Sequence, residues 1–214
     1  MTAWHWLTCC LAIVYLVPVA SGWALLRRCP LPAASRHRRA SGAACALTDV
    51  RLTPDVDEDG INEEIGIRIG PSPGKGYGAF ALRHFEAGSI VGDYCGEAIS
   101  RRDIGARYDK TESLRIDDHL WVISRQKRGI PTTGDYLYRV EDDLYIDAED
   151  PDVSSSWARF INHASQPNLQ GKSLAKSYTG EPRVWFVARC DIEPGDELTW
   201  DYGDDYWTDE DTVV

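Results

Sequence analysis

The segment from Arg159 to Asn168 is the part of this 214-residue chain that is hardest to place in an ordinary strand or helix. Its apolar pair, Phe160 and Ile161, favours burial. Asn162 and His163, which follow directly, carry hydrogen-bonding groups whose burial without partners is unfavourable. These polar groups must therefore satisfy one another or contact a polar ligand.

A second segment, Glu197 to Gly203, also ends an apolar run on polar groups, so two such stretches in one small domain indicate a site. An internal repeat connects it with an earlier part of the chain, because residues 81–88 are echoed by residues 188–195. Each repeat runs into a Glu-x-Gly turn, and the apolar run after the turn ends on a tyrosine, Tyr94 or Tyr202. Phenols at strand ends often serve packing alone, so the repeat does not decide whether Tyr94 and Tyr202 belong to a site or only pack.

From Ile65 onwards the chain consists of short apolar runs separated by Gly, Pro and Asp. This pattern is typical of strands joined by tight turns. The loop at residues 71–78 has the composition of a hairpin loop, and Ser100 could open a short helix. We predict a mainly β fold with a few short helices. The clearest predicted strands are residues 65–69, 134–140, 144–148 and 183–189.

Charge divides the chain into segments. Residues 1–48 contain five arginines and no acidic residue, so the rest of the chain has 18 basic against 34 acidic residues. An acidic domain repels a nucleic-acid backbone and attracts a basic peptide, so direct nucleic-acid binding is not expected. We predict a leader at residues 1–48, an acidic linker at 49–64, a folded domain at 65–207 and an acidic tail at 208–214.

The predicted leader has the features of a targeting segment. Leu7 to Ala20 is an apolar run of signal-peptide length, and Ala20-Ser21-Gly22 offers a cleavage site. Trp23 and a basic, acid-free segment follow, an order that resembles the bipartite plastid leaders of algae with secondary plastids. Plastid or secretory-pathway import is expected, with no stable membrane span after leader removal. The alternatives are simple secretion, a signal anchor, or a start at Met1 that is not the natural one, which would favour the nucleus and chromatin.

The cysteines and acidic residues predict no metal site. The chain has no C-x-x-C pair, which argues against structural zinc. Residues 55–60 resemble the first half of a calcium loop, but the twelfth position is Gly66 rather than glutamate, so a solvated acidic stretch is the favoured interpretation. Cys95 and Cys190, the two cysteines outside the leader, fit either a disulfide or two buried thiols, of which the thiols are favoured.

Four separated motifs resemble, in order and spacing, those of the SET-domain protein lysine methyltransferases. They are the glycine-rich loop at residues 74–78, the Tyr-x-Gly motif at 94–97, the Arg-Phe-Ile-Asn-His motif at 159–163 and the Glu-Leu-x-x-Asp-Tyr-Gly motif at 197–203. The resemblance covers about residues 65–207. It implies a fold of small curved β-sheets with a carboxy-terminal pseudoknot, in which the last motif threads past the Asn-His segment. It also implies S-adenosylmethionine as the cofactor.

The same resemblance implies a role for each site residue, and it requires no metal. The catalytic residues would be Tyr202 and Tyr94. The cofactor would be contacted by Lys75, Gly76, Tyr77, Tyr136, Arg159, Phe160, Asn162, His163 and Tyr202. The channel for the substrate lysine would be lined by Tyr94, Tyr138, Trp200 and Tyr206.

The activity implied by the resemblance is methyl transfer to the deprotonated side-chain amine of a lysine. The substrate would be a basic peptide, such as a histone tail or a segment of an organelle protein. In-line transfer requires nitrogen, methyl and sulfur to be aligned and water to be excluded. An apolar aromatic channel beside a sulfonium charge lowers the pKa of the lysine. The alternative function is a noncatalytic SET module that binds a basic peptide or protein partner.

Two departures from the family pattern carry predictions. No cysteine-rich segment precedes the domain and no cysteine cluster follows Tyr202, so the chain resembles a short form without zinc-binding flanks. Tyr206, Trp207 and the acidic tail are expected to close the channel instead. Trp200 stands where relatives usually carry Phe or Tyr, and its larger ring predicts a restricted pocket and low methylation states.

Overall fold

The computed structural model describes residues 51–152, 155–203 and 206, so the predicted leader, Trp207 and the acidic tail lie outside the described residues. The described residues form short strands with two α-helices and one 3-10 helix, which confirms the predicted mainly β fold. The strands are β1 (Ile61–Asn62), β2 (Ile67–Ser72), β3 (Gly76–Ala81), β4 (Ile90–Asp93), β5 (Glu97–Ile99), β6 (Leu137–Glu141), β7 (Leu144–Asp147), β8 (Asn162–His163), β9 (Leu169–Leu174), β10 (Arg183–Ala188) and β11 (Thr199–Trp200). The helices are α1 (Arg101–Arg107), α2 (Ile116–Arg128) and the 3-10 helix η1 (Trp157–Phe160).

The strands form four small sheets around one apolar core. Three of them are antiparallel, with strand orders β1-β2-β3, β4-β10-β9 and β5-β7-β6, and the fourth pairs β8 with β11 in parallel. Strand β10 shows how the sequence directs packing, because buried and partly exposed side chains alternate along it. The largest buried apolar side chains are Phe85, Trp157, Ile67, Ile69, Ile161, Leu169, Phe186, Ile192 and Leu198.

The predicted strand near Ile65 and the hairpin loop after it are both present, as the β2-β3 hairpin. The strands extend further into the loop than the sequence pattern suggested, because Ser72 is already paired with Gly76. Gly74 and Gly76 both have positive φ, 78° and 75°, which residues with a side chain rarely adopt. The tight turn therefore depends on these glycines.

The internal repeat corresponds to two segments that pair with each other. Residues 81–88 and 188–195 lie antiparallel, and the amides of Phe85 and Ile192 each donate to the other's carbonyl, at 3.0 and 2.9 Å. The Glu-x-Gly turns both end on a glycine with positive φ, 85° and 97°. The repeat thus brings the strands that follow each turn to the same part of the core.

The carboxy-terminal motif is enclosed by distant parts of the chain, as the predicted pseudoknot requires. Strand β11 lies beside β8, and the Leu198 amide donates to the Ala79 carbonyl of β3 at 2.8 Å. On another side, Asn168 donates from Nδ2 to the Glu197 carbonyl and accepts from the Thr199 amide, at 2.8 and 2.9 Å. Residues far apart in sequence therefore meet around one short segment.

Helix α1 begins as the sequence indicated, whereas α2 was not predicted. Ser100 and Asp103 form a capping box that starts α1. Helix α2 ends on Gly129 in the left-handed conformation, and it buries Asp118 and Arg125 rather than an apolar stripe. Hydrophobic periodicity could not indicate a helix that buries charge. None of the described helices has both the length and the apolar character needed to cross a membrane.

Residues 51–64, predicted as part of an acidic linker, lie against the domain. Thr53 is buried, and both carboxylate oxygens of Asp55 accept from the Trp157 amide, at 3.0 and 3.1 Å. Asp57 accepts from backbone amides within its own turn. These carboxylates therefore stabilise the backbone of this segment and its contact with the domain.

Cys95 has a free thiol in an exposed residue. This excludes a Cys95–Cys190 disulfide. The favoured expectation of two buried thiols was therefore wrong: Cys95 is exposed, and Cys190, although buried, is disulfide-bonded rather than a free thiol.

Candidate active site

A cavity of about 410 Å³ opens where the four sequence motifs meet. All the predicted site residues line it except His163 and Tyr138. The predicted residues that do so are Lys75, Gly76, Tyr77, Tyr94, Tyr136, Arg159, Phe160, Asn162, Trp200, Tyr202 and Tyr206. Asp135, Leu137 and Ile161 also line it and were not predicted, although each adjoins a residue that was.

Asn162 is fixed at the cavity wall by a carboxylate that the sequence analysis did not assign to the site. Its Nδ2 donates to the Tyr77 carbonyl at 3.1 Å and to Oε1 of Glu197 at 2.8 Å. Ser72 Oγ donates to the same oxygen at 2.8 Å. A side chain at Gly78 would place its Cβ 2.6 Å from Glu197 Oε1, so the cluster depends on a glycine there.

His163 does not line the cavity but connects two segments that do. Its Nδ1 accepts a hydrogen bond from the Tyr202 amide at 3.3 Å, and its carbonyl accepts from Lys75 Nζ at 2.8 Å. Its ring also packs edge-on against the Tyr202 ring, with centroids 5.5 Å apart. In this structure His163 therefore positions the carboxy-terminal motif and the glycine-rich turn.

Arg159 gives one end of the cavity a positive charge. Its guanidinium lies 4.0 Å from the centre of the Tyr136 ring, and one terminal nitrogen donates to the Glu149 carbonyl at 3.2 Å. Its buried Nε has no hydrogen-bond partner among the described residues. Lys75 lines the same cavity and adds a second positive charge, so the site suits an anionic group that accepts hydrogen bonds.

Tyr94 and Tyr202 both donate their phenolic protons to backbone carbonyls. The acceptors are Tyr136 for Tyr94 and Ile161 for Tyr202, at 2.8 and 2.9 Å. Burial raises the pKa of Tyr94 well above its usual value, and it also raises the pKa of Tyr202. Both phenols therefore stay protonated at neutral pH, and their oxygens can act as hydrogen-bond acceptors but not as proton-abstracting bases.

An aromatic cluster forms the far wall of the cavity. Trp200 stacks on Tyr138 with ring centroids 5.1 Å apart and an interplanar angle of 21°. It also contacts Phe186 and Tyr202, at centroid distances of 5.4 and 5.2 Å. Tyr206 packs edge-on against Tyr202 at 4.5 Å. This wall is apolar apart from the phenolic oxygens and the indole N–H of Trp200, so its ring faces exclude water from whatever lies against them.

A second cavity, of about 1390 Å³, lies on the other side of the aromatic wall, between α1 and β6. Tyr138 lines this second cavity instead of the first. The two cavities therefore meet at the aromatic wall, and the phenol of Tyr202 borders both. The residues common to both are Asp135, Leu137, Trp200, Tyr202 and Tyr206.

Comparison with known families decides the identity of the fold. The model of the SET domain matches residues 76–203, which is more than half of the chain. The chain belongs to the SET-domain family. The small sheets and the enclosed carboxy-terminal segment are thus those of a SET domain, as the resemblance implied. Among the described residues of this SET domain, no group of three or more His, Cys, Asp or Glu side chains is arranged to hold a metal ion.

Several curated SET-domain relatives are similar over most of the domain. The chain is 33% identical over 172 residues to the N-lysine methyltransferase KMT5A-A of Danio rerio, covering 79% of this chain and 44% of the relative. It is 31% identical to the "Histone-lysine N-methyltransferase, H3 lysine-4 specific" of Mycosarcoma maydis, covering 64% of this chain and 8% of the relative. It is 30% identical to the histone-lysine N-methyltransferase ASHH1 of Arabidopsis thaliana, covering 63% and 23%. The SET domain of this chain thus spans less than half the length of each relative.

One solved structure is also similar, a humanized mutant of the Chaetomium thermophilum Polycomb Repressive Complex 2 bound to the inhibitor GSK126. The sequence identity is 29%, and the match covers 64% of this chain and 15% of that chain with a TM-score of 0.44.

Proposed function

We propose that this SET domain is an S-adenosylmethionine-dependent protein-lysine N-methyltransferase. The observation that carries the proposal is the meeting of two cavities at one aromatic wall, with the Tyr202 phenol bordering both. Such a site can take a methyl donor on one side and a lysine side chain on the other. The relatives described above are named as lysine methyltransferases, which supports the same activity.

The smaller cavity fits the proposed cofactor. Its volume lies within the range of roughly 300–1,000 Å³ of small-molecule sites. Arg159 and Lys75 would hold the carboxylate of the cofactor's amino-acid part, and the unpartnered Nε of Arg159 is a donor that such a group would satisfy. The Asn162 side chain uses its amide hydrogens on Tyr77 and Glu197, which fixes its orientation toward the site. When bound, S-adenosylmethionine supplies a methyl group on a positively charged sulfur.

The residues of the chain contribute desolvation and alignment to the reaction. A lysine side chain against the aromatic wall loses water, and desolvation lowers its pKa toward the neutral, nucleophilic form. The oxygens of Tyr202 and Tyr94 can then accept an N–H of the amine and orient its lone pair. Because both phenols stay protonated, neither removes the proton from lysine, and that proton leaves to solvent through the larger cavity.

We propose a basic peptide as the substrate, either a histone tail or a segment of an organelle protein. The chain carries a formal net charge of −11, which attracts positively charged peptides. Several of the relatives are named as histone-lysine methyltransferases. Exposed charge of this kind increases the rate of encounter more than the final affinity.

A methyl-transfer assay with the purified full chain tests the proposal. The chain is incubated with cofactor labelled on the methyl group, against a histone mixture and an organelle extract. Label should appear on lysine in one of them, and Tyr202→Phe should lose most of it. Tyr178→Phe is the matched control, because Tyr178 is 98% exposed and contributes to neither cavity. Binding of cofactor and peptide without any transfer would favour the noncatalytic peptide-binding alternative, and absence of cofactor binding would reject the enzyme.

The compartment is a separate proposal, which rests on the apolar and basic pattern of residues 1–48. We propose import into the secretory pathway or a plastid, and hence an organelle protein as substrate. A fluorescent fusion of residues 1–50 should enter one of these compartments. A fusion that stays in the cytosol or nucleus would reject import and favour a chromatin substrate.

A further inference from the structure

Helix α2 is inverted relative to an ordinary surface helix, because it buries charge and exposes aliphatic side chains. Asp118 and Arg125 are only 1% and 2% exposed, and both make ion pairs below 3 Å. Ile116, Leu120 and Ile123 are 72%, 60% and 46% exposed. A surface helix normally turns its apolar stripe toward the core of its own domain. Here the core holds the opposite face, so only another surface can cover the stripe.

The exposed side chains form one continuous stripe. Ile116, Leu120 and Ile123 have i, i+4, i+7 spacing, which places them on one face of the helix. The aliphatic stem of exposed Lys127, four residues further on, continues the same line, and Leu114, 43% exposed, lies just before the helix. Single exposed apolar residues are common, but a contiguous row marks an interaction surface.

We propose that this stripe is the contact surface of a homodimer in which the α2 helices of two copies pack antiparallel. The two-fold axis would cross the exposed face of the helix at the level of Trp121 and Val122. Leu120 of each copy then contacts Ile123 of the second copy. Ile116 then lies against the stem of Lys127 of the second copy. Every such contact occurs twice across a two-fold axis.

Charge complementarity favours a second copy as the occupant. Asp117 lies in the first turn of α2 and Lys127 in its last turn, and both are exposed. Antiparallel packing brings the carboxylate of Asp117 within reach of the ammonium group of Lys127 from the second copy, once at each end. The two ends of α2 therefore carry opposite charges that complement those of a second, antiparallel copy. A single helix pair buries less than the roughly 1,200 Å² of stable complexes, so the dimer is expected to be weak, with micromolar dissociation.

Sedimentation velocity with the full chain tests the dimer at physiological salt, over about 1 to 200 µM, where a weak interface of this size is populated. The sedimentation coefficient should rise from the monomer value to the dimer value with concentration. Leu120→Glu should keep the protein monomeric throughout, with an unchanged circular dichroism spectrum because the side chain is exposed. Leu174→Glu is the matched control, since Leu174 is 50% exposed on β9, and it should dimerise like the unmodified chain.

A charge exchange separates a second copy from any other occupant. Asp117→Lys and Lys127→Asp should each weaken the dimer several-fold, and the double variant should restore it, because each copy then again complements the other. A chain that is monomeric over the whole concentration range would overturn the proposal and leave the stripe to a different protein or to another part of this chain. A dimer unaffected by Leu120→Glu would overturn it as well.

Discussion

At the scale of single residues, Gly78 is the position where the site has little room for an added side chain. A Cβ there would lie 2.6 Å from Glu197 Oε1 and 2.9 Å from Asn162 Nδ2. These two atoms are hydrogen-bonded to each other, and the bond connects the carboxy-terminal motif to the Asn-His segment. Gly70 is paired with Gly78 on the neighbouring strand, and a Cβ there meets only the flexible end of Arg68. The two glycines form a matched pair.

We expect Gly78→Ala to destabilise the domain by about 2 kcal/mol through overpacking. It should also weaken binding of the proposed cofactor, S-adenosylmethionine, roughly ten-fold or more, since Asn162 must move. Gly70→Ala should change neither quantity by more than a small amount. Urea denaturation and isothermal titration with the cofactor measure the two effects, and equal behaviour of the two variants would show that the Glu197–Asn162 contact does not organise the site.

Trp200 lines both cavities at their junction, where the proposed function places the substrate lysine. Its ring stacks on Tyr138 and contacts Tyr202, so a smaller ring would enlarge the junction of the two cavities. Trp200→Phe should therefore shift the product toward higher methylation states, as measured by mass spectrometry of the modified peptide. Trp185→Phe, on the opposite face of β10 from Phe186, should leave the product distribution unchanged. Efficient trimethylation by the unmodified enzyme would contradict this reasoning.

The resemblance to the SET-domain family supplied most of the residues around the smaller cavity, and departure from the local apolar pattern supported only a few of them. Asn162 and Tyr202 stand at the ends of apolar runs, where polar groups need a reason to be present. Glu197 was placed in a motif but not in the site. Acidic residues are common in this chain, so one more does not indicate a functional position. His163 was predicted to contact the cofactor, yet its hydrogen bonds go to Tyr202 and Lys75 and it does not line the cavity. Its cofactor role stays a prediction.

At the scale of elements, buried charge holds helix α2 to α1 through Asp118, and to strand β7 through Arg125, which pairs with Asp147 at 2.8 Å. Asp118 accepts from the Arg115 amide at 2.8 Å and pairs with Arg102 and Arg107 at 2.6 and 3.1 Å. Burial alone would raise the pKa of this carboxyl, but the hydrogen bonds from Arg115, Arg102 and Arg107 outweigh burial and hold the pKa at about 2. The sequence could not indicate this helix, since its buried face reads as surface.

The lowered pKa of Asp118 gives a pH-dependent contribution to stability. Because the pKa is lower in the folded state than in the unfolded one, the contribution is fully present above pH 4 and is lost as pH falls toward 2. It amounts to about 1 to 2 kcal/mol. Asp118→Asn should therefore lower the free energy of unfolding at pH 7, with a deficit that shrinks by that amount between pH 4 and 2.

Asp59→Asn is the control for this series, because Asp59 is an exposed carboxylate outside helix α2 and its proposed contact surface. Its stability should follow that of the unmodified chain across the whole pH range. Denaturation by urea at several pH values, followed by circular dichroism, measures all three proteins. A deficit in Asp118→Asn that stays constant between pH 4 and 2 would show that the carboxylate is not held charged by its arginines.

At the scale of the whole molecule, the fold depends on pairing between segments that lie far apart in the sequence. Local sequence patterns indicate these pairings least well. The repeated segments pair with each other through Phe85 and Ile192, and β11 is enclosed between β3, β8 and Asn168. The strands themselves could be predicted from alternation, as in β10. Their partners could not, because neither periodicity nor turn chemistry specifies pairing between segments this far apart. The family motifs supplied that information, since they connect the separated segments as one unit.

Net charge acts on the molecule as a whole and gives the last prediction. A chain with a formal net charge of −11 should attract a basic peptide, and salt should screen this attraction once the Debye length falls below roughly 10 Å. Raising salt from about 30 to 300 mM should therefore lower kcat/KM several-fold for a lysine peptide flanked by arginines, with kcat unchanged. The same lysine flanked by neutral residues should show little salt dependence. If both peptides respond equally, the acidic surface serves solubility and recognition depends on the residues of the cavities alone.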